Sequence, residues 1–329
     1  MVYAMLEPLD FAGFHQEDSV KQVEFCKELV AGLRKYGFVR LVNHDVSPLD
    51  IDKAFNTSRQ FFELPVKEKL KSPHPLTANP HRGYSAFGVE NVAATSNHGS
   101  ATPVPLLKDM KESYDIGSET DPLYANIWPP PGVYDSFQPT FQAFFTSCYK
   151  AELAILEAIS IGLDLSGGRT TLSQLHADQT NELRLTHYPA VARGEFLHST
   201  RIAAHTDFGT ITLLFQGDNV GGLQVENPAG SGKFVEIGSG GRHECILNVG
   251  DCLRKWTGLC SARHRVHLPE ETKQAGGNSN LVPERYSIAY FAKPDRAASL
   301  RPLLPSLEDE NEIYMTAGEF QNMRIQGTY

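Results

Sequence analysis

Apolar positions recur at two different spacings along this chain of 329 residues, and the change between them divides it. In the first half they fall three and four apart, which predicts helices. Val23, Val30, Leu33 and Tyr36 form one such stripe. Ser19-Val20-Lys21-Gln22 reads as its capping box and Gly37 as its C-cap. Phe38 to Val42 reads as a strand. Ser47-Pro48 opens a second helix with proline at the first helical position. That helix carries Ile51, Phe55, Phe61 and Phe62 and stops before Pro65. A third, long helix is predicted over 137–163, with Phe141, Phe145, Cys148, Ile155 and Ile159 at helical spacing; aromatic stripes of this kind are core. Between them, 81–131 is irregular and rich in Gly, Ser, Asn and Pro, and predicts a long loop serving as a lid or a binding loop.

From Glu182 onward the pattern changes to short strands separated by turn residues. The runs are 183–188, 202–206, 210–216, 222–226, 233–237, 245–249, 263–268 and 286–292. Eight such strands with Gly-rich turns predict a jelly roll, two sheets facing each other across a cavity. The expected fold is α+β, mainly β: a double-stranded β-helix core with N-terminal and central helices packed on one sheet. Residues 1–329 form a single domain, with 1–180 as helical support and lid region, 181–295 as the jelly-roll catalytic core and 296–329 as a C-terminal segment.

Alternation then orients the strands. Arg184, Thr186 and Tyr188 share one face of their strand. Arg285, Ser287 and Ala289 share a face of another, with Tyr286, Ile288 and Tyr290 opposite. The large apolar residues suit packing against helices, so the small and polar ones should face inward. A buried arginine needs a partner: either an anionic ligand or an internal salt bridge, and the sequence leaves both open for Arg184 and Arg285.

Composition narrows the classes. A content of 41% hydrophobic and 21% charged residues is that of a folded soluble protein. The net charge of -9 argues against a nucleic-acid partner, which needs a basic surface. The chain has no apolar run of about 18 residues that would cross a membrane, and its start lacks the features of a secretory signal. Five cysteines without paired spacing suit a reducing compartment, which also keeps iron ferrous. The expectation is a cytoplasmic protein, monomeric by default, with a small-molecule substrate.

The chemistry is carried by His205-Thr206-Asp207, with His264 downstream and Arg285-Tyr286-Ser287 beyond it. Two imidazoles and a carboxylate can hold one face of an octahedral ion and leave three positions open, the arrangement suited to ferrous iron and oxygen chemistry. An arginine with a hydroxyl two residues on can grip a carboxylate. The triplets His15-Gln16-Glu17 and His176-Ala177-Asp178 match the bare pattern too, but read as surface pairs. Only His205-Thr206-Asp207 runs into a strand.

These residues resemble the iron(II)- and 2-oxoglutarate-dependent oxygenases of the isopenicillin N synthase-like group. The resemblance covers nearly the full length: Gly37-Phe38-Val39, Phe61-Phe62-Glu63-Leu64-Pro65, Arg82-Gly83-Tyr84, His205 to Leu214, Gly221 to Val225, Asn248-Val249-Gly250-Asp251, His264-Arg265-Val266 and Arg285-Tyr286-Ser287. It implies His205, Asp207 and His264 as catalytic iron ligands. It implies Arg285 and Ser287 on the distal carboxylate of 2-oxoglutarate, with Tyr188 beside the co-substrate. Fe(II), 2-oxoglutarate and dioxygen would be the cofactor and co-substrates. The implied activity is a dioxygenase that oxidises a C–H bond of a small organic molecule in natural-product biosynthesis, by hydroxylation, desaturation or ring expansion. Alternatives are a 2-oxoglutarate-independent oxidase of the isopenicillin N synthase type, a pyrimidine-base hydroxylase and an inactive ligand-binding jelly roll. Candidate substrate contacts are Arg184, for an anionic handle, with Thr186, Phe208, Tyr84 and Phe87. The sequence departs from plant relatives at Thr186, where they usually have Asn, and in a shorter stretch between Trp256 and His264.

Overall fold

The computed structural model describes residues 7–77, 79–90, 109–217, 221–269, 280–309 and 311–325. Its larger sheet has eight strands in the spatial order β1 (Leu9–Asp10), β2 (Phe38–Val42), β11 (Cys245–Val249), β8 (Ile211–Gln216), β14 (Arg285–Ala292), β5 (Glu182–Tyr188), β4 (Glu112–Gly117) and β3 (Gly83–Ser85). The smaller sheet runs β10 (Phe234–Glu236), β9 (Leu223–Glu226), β12 (His264–Val266) and β7 (Ile202–His205). A short pair, β6 (Val191–Ala192) with β13 (Leu281–Val282), stands apart from both. All eight strands expected in the second half are present. Within 81–131, expected to be irregular, β3 and β4 extend the large sheet instead. Their short lengths and flanking Gly and Ser hide them from a periodicity argument. Residues 91–108 of that segment lie outside the described residues.

Helices α1 (Ser19–Tyr36), α2 (Pro48–Phe62) and α4 (Phe137–Gly162) cover one face of the large sheet. The remaining helices are short: α3 (Val66–Lys69), α5 (Asp251–Thr257) and α6 (Ala317–Ile325). The α1 cap is one residue earlier than expected. Asp18 accepts from the Val20 and Lys21 amides, because a carboxylate at that position outcompetes the Ser19 hydroxyl. Gln22, the other half of the expected capping box, donates instead to the Phe14 carbonyl at 2.5 Å. Gly37 closes α1 at φ 72°, where a side chain would be strained and its Cβ would meet the Cys260 carbonyl at 2.5 Å.

Strand alternation separates two cores. Leu183, Leu185, Leu213, Phe215, Cys245, Leu247, Ile288 and Tyr290 face the helices and join Phe55, Phe61, Phe141 and Ile155 there. On the other face, Tyr188, Leu214 and Ile246 meet Ile202, Leu223, Val225 and Val266 of the small sheet. The space between the sheets is therefore apolar on one side and polar on the other, where Thr186, Gln216, Arg285 and Ser287 are buried. All five cysteines are free thiols and four are buried. Among the described residues, no helix is long and apolar enough to cross a membrane.

Candidate metal centre and active site

His205 ends β7 and His264 begins β12, and the two strands pair so that these residues stand directly opposite. Asp207 follows in the turn towards β8. The three side chains offer ligand atoms within 4.8 Å of one another. Nε2 of His205 and of His264 lie 3.5 and 3.6 Å from Asp207 Oδ1.

The surroundings aim each atom. Nδ1 of His205 lies 2.8 Å from the Ala203 carbonyl, and Nδ1 of His264 lies 3.2 Å from the Ala262 carbonyl. A carbonyl can only accept, so Nδ1 carries the proton in both rings and each Nε2 lone pair points inward, the tautomer a metal needs. Asp207 Oδ2 accepts from Thr212 Oγ1 at 2.6 Å and Asn248 Nδ2 at 2.7 Å, which leaves Oδ1 for the ion. Burial alone would raise the Asp207 carboxyl, but His264 and His205 in their protonated forms, with the Thr212 hydroxyl, outweigh it and hold it far below the usual carboxylate range. Burial also lowers His264, only partly offset by Asp207. The donor set thus consists of two neutral imidazoles and one carboxylate, matched to a borderline-hard divalent ion such as Fe(II).

The turn bearing Asp207 is held from behind. The Asp251 amide donates to the Asp207 carbonyl at 2.8 Å and the Cys252 amide to the Gly209 carbonyl at 3.0 Å. A Cβ on Gly250 would stand 2.2 Å from the Gly209 carbonyl, so that crossing requires glycine. Gly250 and Asp251 are thus explained by the approach of α5 to the metal turn.

Deeper between the sheets, Arg285 is buried and its Nη2 donates to Gln216 Oε1 at 2.6 Å. Its guanidinium lies over the Tyr188 ring, 5.0 Å from the centroid, and Ser287 Oγ accepts from Nη1 at 3.4 Å. The register places Tyr188 opposite Arg285 and Thr186 opposite Ser287. Burial lowers the Arg285 pKa, which Tyr188 counteracts.

Beside the metal ligands, a cavity is lined by His205, Asp207, Phe208, Arg184, Glu182, His81, Phe291, Lys293 and Ile325. Arg184 reaches it, but its charge is already matched: Nε and Nη2 pair with Asp115 at 2.6 and 2.9 Å, and Nη1 with Glu90 at 3.0 Å. The expected anionic handle therefore has no unmatched cation to meet there, which corrects the reading of Arg184; the internal salt bridge is what the fold built. Tyr84 is corrected too. It is buried on the helix side against Phe61, with its hydroxyl donating to Glu112. Phe87 is 51% exposed and does not line the cavity. Of the two decoy triplets, His15 is a surface pair with Asp45. His176 is not on the surface: it is fully buried between the Leu172 carbonyl and the Thr210 hydroxyl, 2.8 Å from each.

Sequence reasoning missed Glu182, Lys293, Phe291 and Ile325. The first three sit at strand ends, where alternation is blurred. Ile325 comes from α6, a helix with little apolar periodicity.

Comparison with known proteins agrees with this geometry. Residues 6–131 match the model for the non-haem dioxygenase in morphine synthesis N-terminal region, and residues 179–294 match the 2OG-Fe(II) oxygenase superfamily. The 2-oxoglutarate-Fe(II) type oxidoreductase ppzD of Metarhizium rileyi is 41% identical, over 98% of this chain and 90% of its own. The proline hydroxylase buaE of Petromyces alliaceus is 39% identical over 98% and 99%. A Neurospora crassa crystal structure in complex with alpha-KG and thymine superposes with a TM-score of 0.82 at 31% identity, covering 98% of this chain and 96% of that one. The chain belongs to the Fe(II)- and 2-oxoglutarate-dependent oxygenases, as a non-haem dioxygenase.

Proposed function

We propose that this dioxygenase hydroxylates a small zwitterionic substrate of the cyclic amino-acid class, with Fe(II) on His205, Asp207 and His264 and the distal carboxylate of 2-oxoglutarate on Arg285, Ser287 and Tyr188. The observation that carries the substrate class is the charge balance of the cavity wall. Lys293 pairs with Glu182 at 2.6 Å, and Arg184 with Lys111 balances Asp115 and Glu90. A wall with both signs present and neither in excess suits a ligand that also carries both. An ammonium would share Glu182, and a carboxylate would share Lys293. Phe208, Phe291 and Ile325 offer an apolar surface for the ring and exclude water from the reacting carbon. The relative named a proline hydroxylase supports the same class.

Bound iron, with 2-oxoglutarate and dioxygen, supplies the oxidising power to attack a C–H bond as the keto acid is converted to succinate and carbon dioxide. The protein's own work is positional. Arg285 and Ser287 orient the keto acid, Asn248 and Thr212 fix the Asp207 carboxylate, and the aromatic wall sets which carbon faces the ion.

The thymine complex of the Neurospora relative, together with the aromatic pair Phe208 and Phe291, supports a second reading, a pyrimidine base held between rings. A panel measurement separates them: succinate release from 2-oxoglutarate with proline-class amino acids, thymine and an aromatic monocarboxylate. Turnover is expected with the amino acids. Turnover with thymine alone would replace this proposal by the second reading, and oxygen uptake without 2-oxoglutarate would replace both by an oxidase. In the same reading the protein works as a cytoplasmic monomer with no nucleic-acid partner, supported by its free thiols and net charge of -9.

A further inference from the structure

Arg201, just before β7, is completely buried. Its Nη2 donates to the Pro283 carbonyl, while Nε and Nη1 have no hydrogen-bond partner. Its guanidinium lies 5.5 Å from the centre of the Tyr188 ring, the ring that Arg285 approaches to 5.0 Å. Two buried guanidiniums thus share one tyrosine, and among the described residues neither has a carboxylate at ion-pair distance, the Glu236 carboxylate acting on Arg285 only from further off. Gln216, which accepts from Arg285, has its own Nε2 buried without a partner.

Such an arrangement is unfavourable as it stands. Each buried donor left unmade carries a desolvation penalty, and two like charges at close quarters repel. Burial, and after it the charge of Arg285, push the Arg201 pKa down to about 10. Folds retain groups like these when a ligand completes them. Three unmet donors beside two positive charges call for an anion rich in acceptors, and a carboxylate offers about four lone-pair sites.

We infer that Arg201 is a second guanidinium of the co-substrate site, and that Arg201 and Arg285 together grip the distal carboxylate of 2-oxoglutarate, with Gln216 donating beside them. The inference rests on the placement of that carboxylate at Arg285 given above. It makes the protein's demand for a dicarboxylic keto acid a property of two strands, β14 and the lead-in to β7, rather than of the Arg285-Tyr286-Ser287 motif alone.

The test compares two keto acids of equal chain length, 2-oxoglutarate and 2-oxovalerate, which lacks the distal carboxylate. Binding is measured by calorimetry on full-length protein loaded with Mn(II) under anaerobic conditions. Wild type should prefer 2-oxoglutarate strongly. Arg201→Gln should weaken 2-oxoglutarate by about 10- to 100-fold, the range for a lost charge-assisted hydrogen bond, and leave 2-oxovalerate unchanged. Equal loss of both ligands, or unaltered affinity for 2-oxoglutarate, would overturn the inference. Should Arg201→Gln fail to fold, Arg201→Lys decides, since it keeps the charge without the planar fork. A narrowed ratio between the two keto acids supports the assignment, and a wild-type ratio overturns it. Wild type that shows no preference for 2-oxoglutarate would remove the Arg285 placement as well, whereas preference retained in both variants removes Arg201 only.

Discussion

Arg324, at the end of the last helix, lays its guanidinium 4.5 Å from the centre of the Phe208 ring, next in sequence to Asp207. The same guanidinium donates to the Asp251 carboxylate and, at 3.2 Å, to the Thr206 hydroxyl. Thr206 in turn donates to Asp251 at 3.0 Å, and Ser261 to its other oxygen at 2.8 Å. One side chain therefore ties α6 to the residue lying between two candidate metal ligands, and brings Ile325 to the cavity wall.

Arg324→Ala should loosen that wall. Truncation leaves Asp251 with its two hydroxyl donors and removes one charged pair, a stability loss of about 1.5–3 kcal/mol. The larger effect should fall on the substrate: KM raised several-fold, with affinity for 2-oxoglutarate unchanged because Arg285 lies elsewhere. Steady-state kinetics with each ligand varied in turn would check this. Equal effects on both would mean that α6 supports the fold and not the substrate cavity.

Metal affinity should depend on residues that never touch the ion. Asn248 and Thr212 hold the outer oxygen of Asp207. Without either, the carboxylate can rotate, and losses of about 10–100-fold in metal affinity are typical of such changes. Asn248→Ala and Thr212→Val should each weaken Mn(II) binding in this range while the fold persists. His205→Ala, Asp207→Ala and His264→Ala should abolish succinate formation. A His264→Ala protein that kept full turnover would defeat the ligand assignment.

How much of this was legible beforehand differs by element. The three metal-binding candidates and Arg285 were readable because each lies in or next to a strand whose apolar neighbours declare its register. Arg184, Thr186 and Tyr188 were correctly placed on one inward face, yet the partners of Arg184 were not. Asp115 lies on β4, opposite Arg184 across the β4–β5 pairing, and Glu90 lies before β4 in a stretch without periodicity. Pairing between distant segments leaves no mark on local spacing. His176 misled for the opposite reason: its neighbours in sequence are polar, but Trp256 and Thr210 arrive from elsewhere to bury it.

That burial should make His176 a source of acid sensitivity. Its pKa is lowered from 6.5 to about 4 by burial, partly opposed by the hydrogen bond to Leu172. Between those values the unfolded chain takes up a proton that the folded protein refuses, so stability rises with pH across the window and falls on acidification. The loss from pH 6.5 to 4 amounts to roughly 3 kcal/mol. His176→Gln, which keeps polar contacts without titrating, should flatten the dependence of Tm on pH in this interval. An unchanged slope would assign the acid sensitivity to other groups.

Arg184 provides a sharper separation between structure and recognition. Its guanidinium is held by Asp115 and Glu90, whose side chains are 0% and 3% exposed, and Glu90 also pairs with Lys111 at 2.7 Å. Burial alone would raise the Glu90 carboxyl, but Arg184 and Lys111 outweigh it and keep it ionised. Arg184→Gln strands negative charge in the interior, which typically costs about 3–5 kcal/mol. Asp115→Asn in the same chain removes part of that charge, so the double variant should be more stable than the sum of the single effects requires. Thermal unfolding of the two single variants and the double variant would measure the coupling. Strict additivity, together with a raised substrate KM in Arg184→Gln at unaltered Tm, would return Arg184 to the role of a substrate-binding cation and remove the charge-balance argument for a zwitterion.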